Sequence, residues 1–355
     1  MQALVRLFVL LSLAGLAALP ARAAFSSLYA FGDGACSSTD NQDTTHFYPH
    51  TYSNGRVWIQ VLAQRQGLTY SASKNNSYYG HYSSYLASEI SGLSAPDAAT
   101  ALFVIWVCDA DFVQDMTQYY PNQLNNTTWN AAITASLNNH SQAISSLYAK
   151  GCRSLIMPTA VDISKIPWYA GCSTSEKSFI RGRVIYFNTS FTNMLSQKMA
   201  SLPGLRIISP DFFTLLDDML ANPSNYGLVN PGIDALENPA LSPWSLTGPG
   251  ASYVFWDPTD PTAKANEIMA DITQGMLSPV TITNVTALGA SNQLDVANMP
   301  VGLGGYVDGK TNLVLGTWTQ VSSFNSTNVT QAVFVPASGP QRFYRLRFPF
   351  AWSWP

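Results

Sequence analysis

Charged residues are scarce in this sequence: lysine, arginine, aspartate and glutamate together make up only 11% of its 355 residues. The shortage does not indicate disorder, because 46% of the residues are hydrophobic and disordered chains combine low hydrophobicity with high net charge. Eighteen basic and 21 acidic residues give a net charge of −3, which argues against a nucleic-acid partner held through its phosphates. The length allows one large domain, or one large and one small domain.

Long hydrophobic runs are also missing, apart from residues 7–19, a run too short to cross a bilayer comfortably. Arg6 precedes this run, and Ala21-Arg22-Ala23 follows it as a small-x-small cleavage site. We therefore expect a signal peptide over 1–23, cleaved after Ala23, and a secreted or periplasmic protein without stable membrane insertion. An uncleaved membrane anchor is the alternative.

Cysteine is rare, with Cys36, Cys108, Cys152 and Cys172 as its only occurrences. An even number of cysteines in an oxidising compartment predicts disulfide bonds, and three pairings are open. Buried free thiols are the alternative.

Most of the chain alternates between two patterns, short continuous apolar runs and longer segments with apolar residues at helical spacing. Such buried strands separated by helices predict an α/β fold with a parallel sheet covered on both faces. The apolar runs are 28–31, 101–107, 153–157, 205–208 and 253–256, and the helical segments are 57–68, 131–149, 187–199, 212–220 and 262–276.

The pattern changes near Pro279 to short alternating stretches with glycine-rich turns. In 342–348, Tyr344, Leu346 and Phe348 fall on one face of a strand, while Arg345 and Arg347 fall on the other. We therefore predict an α/β domain over 24–278 and a small all-β module over 279–355. The module suits an accessory binding role or a spacer role equally well.

Informative residues stand at the ends of the predicted strands, where parallel sheets place their active residues. Phe31-Gly32-Asp33 ends the first strand, Cys108-Asp-Ala-Asp-Phe112 follows the second, and Asp257-Pro-Thr-Asp260 comes late in the α/β segment. These blocks, in this order within residues 25–277, resemble the GDSL (SGNH) lipase/acylhydrolase family. The resemblance implies a flavodoxin-like three-layer fold of the SGNH-hydrolase type and an ester hydrolase.

The resemblance also assigns site positions. In that family a serine is the nucleophile, a histidine is its base, an aspartate orients the histidine, and a glycine and an asparagine supply oxyanion donors. The matching positions here are Gly34 for the nucleophile, Gly80 and Ala110 for the oxyanion donors, Asp257 for the orienting acid and Asp260 for the base. Loss of the serine or the histidine of such a triad costs about 10⁶-fold in turnover. We therefore expect a non-catalytic or repurposed pseudo-hydrolase with a binding role, whose degenerate catalytic site retains the orienting acid as Asp257 and has Asp260 in place of the histidine.

Further candidates surround this site. Asp33, Asp109 and His81 are predicted binding residues, with His81 at the pocket rim or in packing, and Asp33 and Asp111 are expected to cap turns. Asp257 and Asp260 should repel each other and raise one pKa unless a cation joins them. Such a pair suits cation binding, acid/base hydrolysis, for example of a glycoside, or simple solvation.

Other reactive residue types give weaker signals. Cys36 is either a displaced thiol nucleophile or a structural cysteine. His46 and His50 flank Pro49, which opposes a helix, so metal-ligand spacing is not indicated. Tryptophans and tyrosines either line a ligand-binding face or pack in the core, namely Trp58, Trp106, Trp129, Trp168, Tyr78, Tyr79, Tyr82 and Tyr85.

No metal or other cofactor is expected, and the expected ligand is a small ester, a lipid or a carbohydrate. Three function classes remain open: a non-catalytic binding protein, an active esterase with an unorthodox site, and a surface protein that acts through its β module.

Overall fold

The computed structural model describes residues 25–337 and 342–348. Its central sheet has four parallel strands in the order β1-β2-β3-β4. They are β1 (Leu28–Gly32), β2 (Leu102–Trp106), β3 (Ser154–Ile156) and β4 (Arg206–Ile208). β1 and β2 are buried along their whole length, as the continuous apolar runs predict. The signal peptide predicted over 1–23 lies outside the described residues.

Seven α-helices cover this sheet within the described ranges. They are α1 (Trp58–Arg65), α2 (Leu86–Gly92), α3 (Cys108–Tyr119), α4 (Asn126–Ala149), α5 (Thr174–Ser201), α6 (Phe212–Ala221) and α7 (Ala263–Leu277). α1 packs against α7, while α2, α4 and α5 pack in series. Together with the buried strands, the two groups of helices give the predicted three-layer α/β architecture. None of the helices in the described ranges is long and apolar enough to cross a membrane.

Local capping explains where several helices begin. The Asn125 side chain accepts a hydrogen bond from the Thr128 amide at 3.0 Å, and α4 begins at the next residue, five residues before the predicted helix. Ser173 and Glu176 form a capping box at the start of α5, so this helix begins well before the apolar stripe at Phe187. Polar first turns of this kind carry no apolar periodicity.

Six antiparallel strands follow Pro279. They are β5 (Thr281–Ala287), β6 (Ser291–Ala297), β7 (Gly304–Lys310), β8 (Thr319–Asn325), β9 (Thr330–Pro336) and β10 (Phe343–Arg347). They form two three-stranded sheets, β5-β6-β9 and β10-β7-β8, over a core that includes Val296 and Val307. Tyr344, Leu346 and Phe348 pack against this core, which confirms the predicted apolar face of the last strand. The backbones of Arg65 and Val301 join the strands to α1, with the Val301 amide donating to the Arg65 carbonyl at 3.1 Å.

One expectation about the parallel sheet is wrong. The apolar run 253–256 is not a strand of the parallel sheet, because it forms only isolated bridges, Val229 to Tyr253 and Phe255 to Pro261. Its side chains are buried by loops instead, and the Trp256 indole donates to the His46 carbonyl at 2.8 Å.

The expectation of disulfide bonds is also contradicted. All four cysteines are free thiols; Cys36, Cys108 and Cys152 are buried, and Cys172 is partly exposed. The large apolar core stabilises a domain of this size without cross-links.

Candidate functional site

Asp33 stands directly after β1 and shapes the first wall of the site. Its Oδ1 accepts a hydrogen bond from the Ala35 amide at 3.1 Å, which caps a short 3₁₀ turn over Gly34–Cys36. The Asp33 amide in turn donates to the carbonyl of Trp106, the last residue of β2, at 3.2 Å. Asp33 therefore caps a turn, as expected. Burial raises the pKa of the Asp33 carboxyl from 3.8 to about 7.

Gly34 faces Asp260 across the site. A Cβ atom on Gly34 would lie 3.1 Å from Asp260 Oδ1 and 3.2 Å from Tyr79 Cδ2. The fold therefore brings the first and last sequence blocks together, although these two residues are 226 positions apart in the sequence. Asp260 occupies the space next to the point where a side chain at position 34 would begin.

Asp257 holds the loop that presents Asp260. Its Oδ1 accepts hydrogen bonds from the Thr259 amide at 2.8 Å and the Asp260 amide at 2.6 Å. The Thr259 hydroxyl donates to Asp260 Oδ2 at 2.8 Å. Burial raises the pKa of Asp257 to about 6, and burial together with the neighbouring Asp257 and Asp33 raises the pKa of Asp260 well above its usual value. Asp257 thus orients its neighbour through backbone amides rather than through a histidine.

The third block opens helix α3. Asp109 Oδ1 accepts from the Val161 amide at 2.8 Å, and burial followed by the nearby Asp33 charge raises the Asp109 pKa well above its usual value. Ala110 is almost fully buried, and its short side chain contributes to the cavity wall. Asp111 turns away from the cavity, because its carboxylate accepts from the Ser83 amide at 2.8 Å and the Ser136 hydroxyl at 2.5 Å.

A cavity of about 300 Å³ opens beside these residues. That volume is near the lower end of small-molecule sites, which span roughly 300–1,000 Å³. Its polar end is formed by Asp33, Gly34, Asp109, Thr259 and Asp260. The rest of the wall is largely apolar and includes Val113, Val161, Ile163, Ile166, Phe212, Leu215, Leu216, Met219, Val254, Phe255 and Met269.

Gly80 and His81 have different positions relative to this cavity. Gly80 contributes to the wall with a positive φ of 74°, a conformation that favours glycine. His81 is fully buried and is not at the rim, so that part of the expectation is wrong. Its Nδ1 lies 3.0 Å from the Gly32 carbonyl oxygen and its Nε2 lies 2.9 Å from Glu89 Oε2. Stacking on Tyr78 holds the ring in this packing role.

The remaining nucleophile and metal candidates lie away from the cavity wall. Cys36 is buried, and its Sγ accepts a hydrogen bond from the Trp58 indole at 3.2 Å. Burial raises the pKa of the Cys36 thiol well above its usual value, which opposes thiolate formation. His46 pairs with Asp43 at 2.9 Å, and His50 forms an isolated bridge to Asn41. Within the described ranges, no group of three His, Cys, Asp or Glu side chains is arranged to hold a metal ion.

Six of the eight aromatic candidates divide between core and cavity, and Tyr78 and Tyr85 belong to neither. Trp58 and Trp129 are fully buried in the core, whereas Trp106, Trp168, Tyr79 and Tyr82 line the cavity. Trp168 is 62% exposed and lies at the cavity wall, where it is accessible to ligand and solvent.

The Trp106 indole nitrogen is a feature that the sequence did not reveal as special. It is buried and finds no hydrogen-bond acceptor among the described residues, although Trp106 lines the cavity. Most of the apolar wall was also missed, because α6 and the segment after β3 carry it. The spacing of Phe212, Leu215, Leu216 and Met219 was a usable signal, but it also fits ordinary core packing.

The chemistry of the polar end follows from its carboxyl groups. A carboxyl with a raised pKa keeps its proton near neutral pH, so it can donate a hydrogen bond to a carbonyl oxygen. None of the described cavity-lining residues is Lys, Arg or His, so the wall offers no cation to a negatively charged ligand. The arrangement therefore suits an uncharged ligand with an apolar chain and an oxygen-bearing end.

Comparisons with known proteins identify relatives of the chain. GDSL esterase/lipase 7 of Arabidopsis thaliana is 32% identical over 142 residues, which is 37% of this chain and 39% of the relative. GDSL esterase/lipase At1g73610 of the same plant is 24% identical over 310 residues, covering 69% of this chain and 87% of the relative. GDSL esterase/lipase APG, also from Arabidopsis thaliana, is 26% identical over 54% of this chain and 58% of its own length. The chain thus spans less than two thirds of the length of the first and third of these relatives.

Two solved structures are similar in outline. The lipase Lip_vut3 from a goat rumen metagenome has a TM-score of 0.42 and 11% identity, covering 71% of this chain and 97% of that one. Phospholipase A1 from Streptomyces albidoflavus NA297 has a TM-score of 0.42 and 14% identity, covering 71% of this chain and all of that one. No family model matches the chain. The curated relatives and the three sequence blocks agree, and the chain is similar to GDSL esterase/lipase proteins over 37% to 69% of its length.

Proposed function

We propose that this protein binds an uncharged lipid with one acyl chain, such as a fatty ester, without hydrolysing it by the serine mechanism. The observation that carries the proposal is the pairing of Gly34 and Asp260, with 3.1 Å between Asp260 Oδ1 and the Cβ position of Gly34. In the GDSL family, the serine nucleophile and its histidine base occupy the positions that match Gly34 and Asp260. Neither glycine nor an aspartic acid with a raised pKa can replace a serine–histidine pair, whose loss costs about 10⁶-fold.

The cavity supports a lipid more than a carbohydrate. Its wall is largely apolar, whereas a sugar needs many hydrogen-bonding partners along its length. At the polar end, protonated carboxyls of Asp260 and Asp33 and the unpaired indole N–H of Trp106 are donors for an ester carbonyl. An ionised fatty acid would meet several carboxyl groups and no cation, so the ester is the preferred ligand.

Binding and turnover can be measured together. We expect methyl decanoate to bind saturably in calorimetry at pH 6, where Asp33 keeps its proton, decanoate to bind more weakly, and p-nitrophenyl acetate and butyrate to show no enzymatic turnover. Ala110→Leu should block binding by filling the cavity, because Ala110 lines it. Ala135→Leu on the exposed surface of α4 is the matched control and should bind normally.

An active esterase is the second candidate, because the curated relatives carry esterase/lipase names. In this alternative, the carboxyls with raised pKa values act as general acid and base. Turnover in the usual range of about 1–10³ s⁻¹, abolished by Asp260→Asn, would establish it and end the pseudo-hydrolase proposal. Absence of turnover together with absence of methyl decanoate binding would overturn both candidates.

We further propose that the protein works outside the cytoplasm. The support is the sequence pattern of Arg6, the apolar run 7–19 and Ala21-Arg22-Ala23. Edman sequencing of the protein recovered from a secreting host should begin at Ala24. Recovery of the intact N-terminus from the cytoplasm would contradict this location.

A further inference from the structure

The hairpin between β7 and β8 ends in a loop with three consecutive exposed aliphatic side chains. Leu313 is 58% exposed, Val314 is 87% exposed and Leu315 is 69% exposed. We call residues 311–318 the hairpin tip. Single exposed apolar residues are normal on a protein surface, but a contiguous group at a projecting loop marks an interaction site.

The hairpin tip holds its shape through its own hydrogen bonds. Asn312 Oδ1 accepts from the Val314 amide at 2.9 Å and from the Leu315 amide at 3.1 Å. The Lys310 ammonium donates to the Leu313 carbonyl at 3.3 Å, and Gly316 has a φ of 82°, which favours glycine. The aliphatic side chains are therefore presented outward by an ordered turn, and docking them does not require the loop to order first.

Cations surround the base of the tip. The Lys310 ammonium lies 5.9 Å from the centroid of the Trp318 ring, and the Arg345 guanidinium lies 4.7 Å from the same centroid. The Arg345 side chain is 49% exposed. Tryptophan next to basic side chains, below a projecting apolar group, is the arrangement that suits the boundary between lipid headgroups and acyl chains.

The charge of the chain is unevenly distributed, with an excess of basic residues in the region that carries the hairpin tip. Residues 280–355 contain four basic and two acidic residues, a net charge of +2, while residues 1–279 contain 14 basic and 19 acidic residues, a net charge of −5. One of the two acids, Asp308, accepts hydrogen bonds from both Arg345 and Arg347, so its single charge is shared by two cations. The region that carries the apolar tip is thus the basic region of an otherwise acidic protein.

We propose that the hairpin tip docks on an anionic lipid bilayer, with Leu313, Val314 and Leu315 inserted among the acyl chains and Lys310 and Arg345 at the headgroups. The charge pattern favours this occupant: an anionic surface attracts the basic module and repels the acidic remainder, which orients the tip toward the lipid. Three aliphatic side chains with two nearby cations give reversible, peripheral binding rather than a membrane span.

Vesicle sedimentation tests the proposal with the full protein. We expect binding to vesicles of phosphatidylcholine and phosphatidylserine in equal amounts, weak binding to phosphatidylcholine alone, and release by high salt. The triple variant Leu313→Ser, Val314→Ser, Leu315→Ser should bind the mixed vesicles at least about tenfold more weakly than the wild type. Lys310→Gln should reduce binding to the mixed vesicles by several-fold while keeping the apolar contact.

A matched triple variant, Val285→Ser, Leu288→Ser, Phe334→Ser, removes exposed apolar side chains from the other sheet of the β module, in β5, directly after β5 and in β9, and should leave vesicle binding unchanged. Thermal melting by circular dichroism checks that both triple variants stay folded. Absence of vesicle binding, or equal losses in the two triple variants, would overturn the proposal. Light scattering that shows a dimer broken only by the tip variant would assign the tip to a second copy instead, and would also overturn it.

Discussion

Asp260 Oδ1 lies 3.1 Å from the point where a side chain on Gly34 would begin. This closeness links two residues that the fold draws from opposite ends of the α/β segment. It also makes the polar end of the cavity depend on the absence of a side chain at position 34. Asp257 fixes this geometry by binding the amides of Thr259 and Asp260, so the pair is held by the backbone rather than by chance side-chain contact.

Replacement of Gly34 by alanine should therefore be costly. The added methyl group would be closer to Asp260 and Tyr79 than ordinary contact allows, at 3.1 Å and 3.2 Å, and both neighbours would have to shift. We expect a loss of about 1 kcal/mol in the free energy of unfolding, together with weaker methyl decanoate binding. Guanidinium denaturation measures the first effect and calorimetry the second.

Gly275→Ala is the matched control, because nothing lies within 4 Å of its Cβ position on the exposed side of α7. Alanine there should stabilise the helix by about 0.5–1 kcal/mol. Effects of the same sign in both variants would contradict the steric explanation at Gly34.

The buried carboxyls predict a dependence of stability on pH. The pKa of Asp33 rises from 3.8 to about 7 on folding, so the folded protein keeps a proton that the unfolded chain releases between about pH 4 and pH 7. For this group, stability is fully present below about pH 4 and is lost as the pH rises toward 7. Asp33→Asn removes this titration, so the variant should be more stable than the wild type at pH 8, with the difference shrinking by pH 5.

Denaturation of both proteins at pH 5 and pH 8 gives the comparison. The difference between variant and wild type cancels titrating groups far from Asp33 and retains the effect of the Asp33 charge on Asp109 and Asp260. Asp295→Asn changes a partly exposed aspartate whose pKa is lowered by its hydrogen bonds to Gln293 and Asn284. It should not gain stability as the pH rises. If the difference in unfolding free energy between Asp33→Asn and the wild type is the same at pH 5 and pH 8, the Asp33 carboxyl of the folded wild type is ionised over this whole range.

Trp168 is expected to matter for the ligand and not for the fold. It lines the cavity, yet 62% of its surface is exposed, so its removal leaves the core intact. Trp168→Ala should weaken binding of methyl decanoate about tenfold and leave the melting temperature unchanged. Tyr186→Ala, an exposed aromatic on α5, should change neither quantity. A large fall in melting temperature for Trp168→Ala would assign this residue to packing instead.

The sequence predicted the part of the fold that depends on local pattern. Continuous apolar runs gave all four strands of the parallel sheet, because strands buried on both faces have no polar alternation. Helix α3 was missed because Asp109 and Asp111 interrupt its first turn, although Cys108, Phe112 and Met116 recur every four residues. The run 253–256 was misassigned because its residues have strand propensity, whereas tertiary packing buries them in a loop.

The candidate site was predictable to the same extent. The order of the three blocks predicted that Asp33, Gly34, Ala110 and Asp260 lie near one another, and all four line the cavity. Converging strand ends explain this for the first two blocks, whereas a loop presents Asp260. The buried position of His81 and the apolar wall from α6 depend on which helix packs beside which strand. Contacts of that kind are non-local, so spacing along a single sequence does not reveal them.

The segment that carries Val161 and Ile163 into the cavity wall is anchored by an ion network. Asp162 is fully buried, and its Oδ2 accepts from Arg181 Nη1 at 2.5 Å, while Arg181 Nη2 donates to Asp217 at 2.6 Å. Arg181→Gln would leave the Asp162 charge buried without its cation, which should cost about 3 kcal/mol of unfolding free energy. Lys165→Gln removes only a half-exposed partner of Asp217 and should cost less than about 1 kcal/mol. Equal losses in urea denaturation would contradict the special position of Asp162.

Thiol titration tests the free cysteines directly. Cys36, Cys108 and Cys152 are buried, whereas Cys172 is partly exposed. Ellman's reagent should therefore find one fast-reacting thiol in the native protein, and four in the denatured protein prepared without reductant. Cys172→Ser should abolish the fast phase, because burial raises the pKa of the Cys36 thiol and keeps the reactive thiolate scarce. Two or no thiols after denaturation would show that disulfide bonds form in this chain after all.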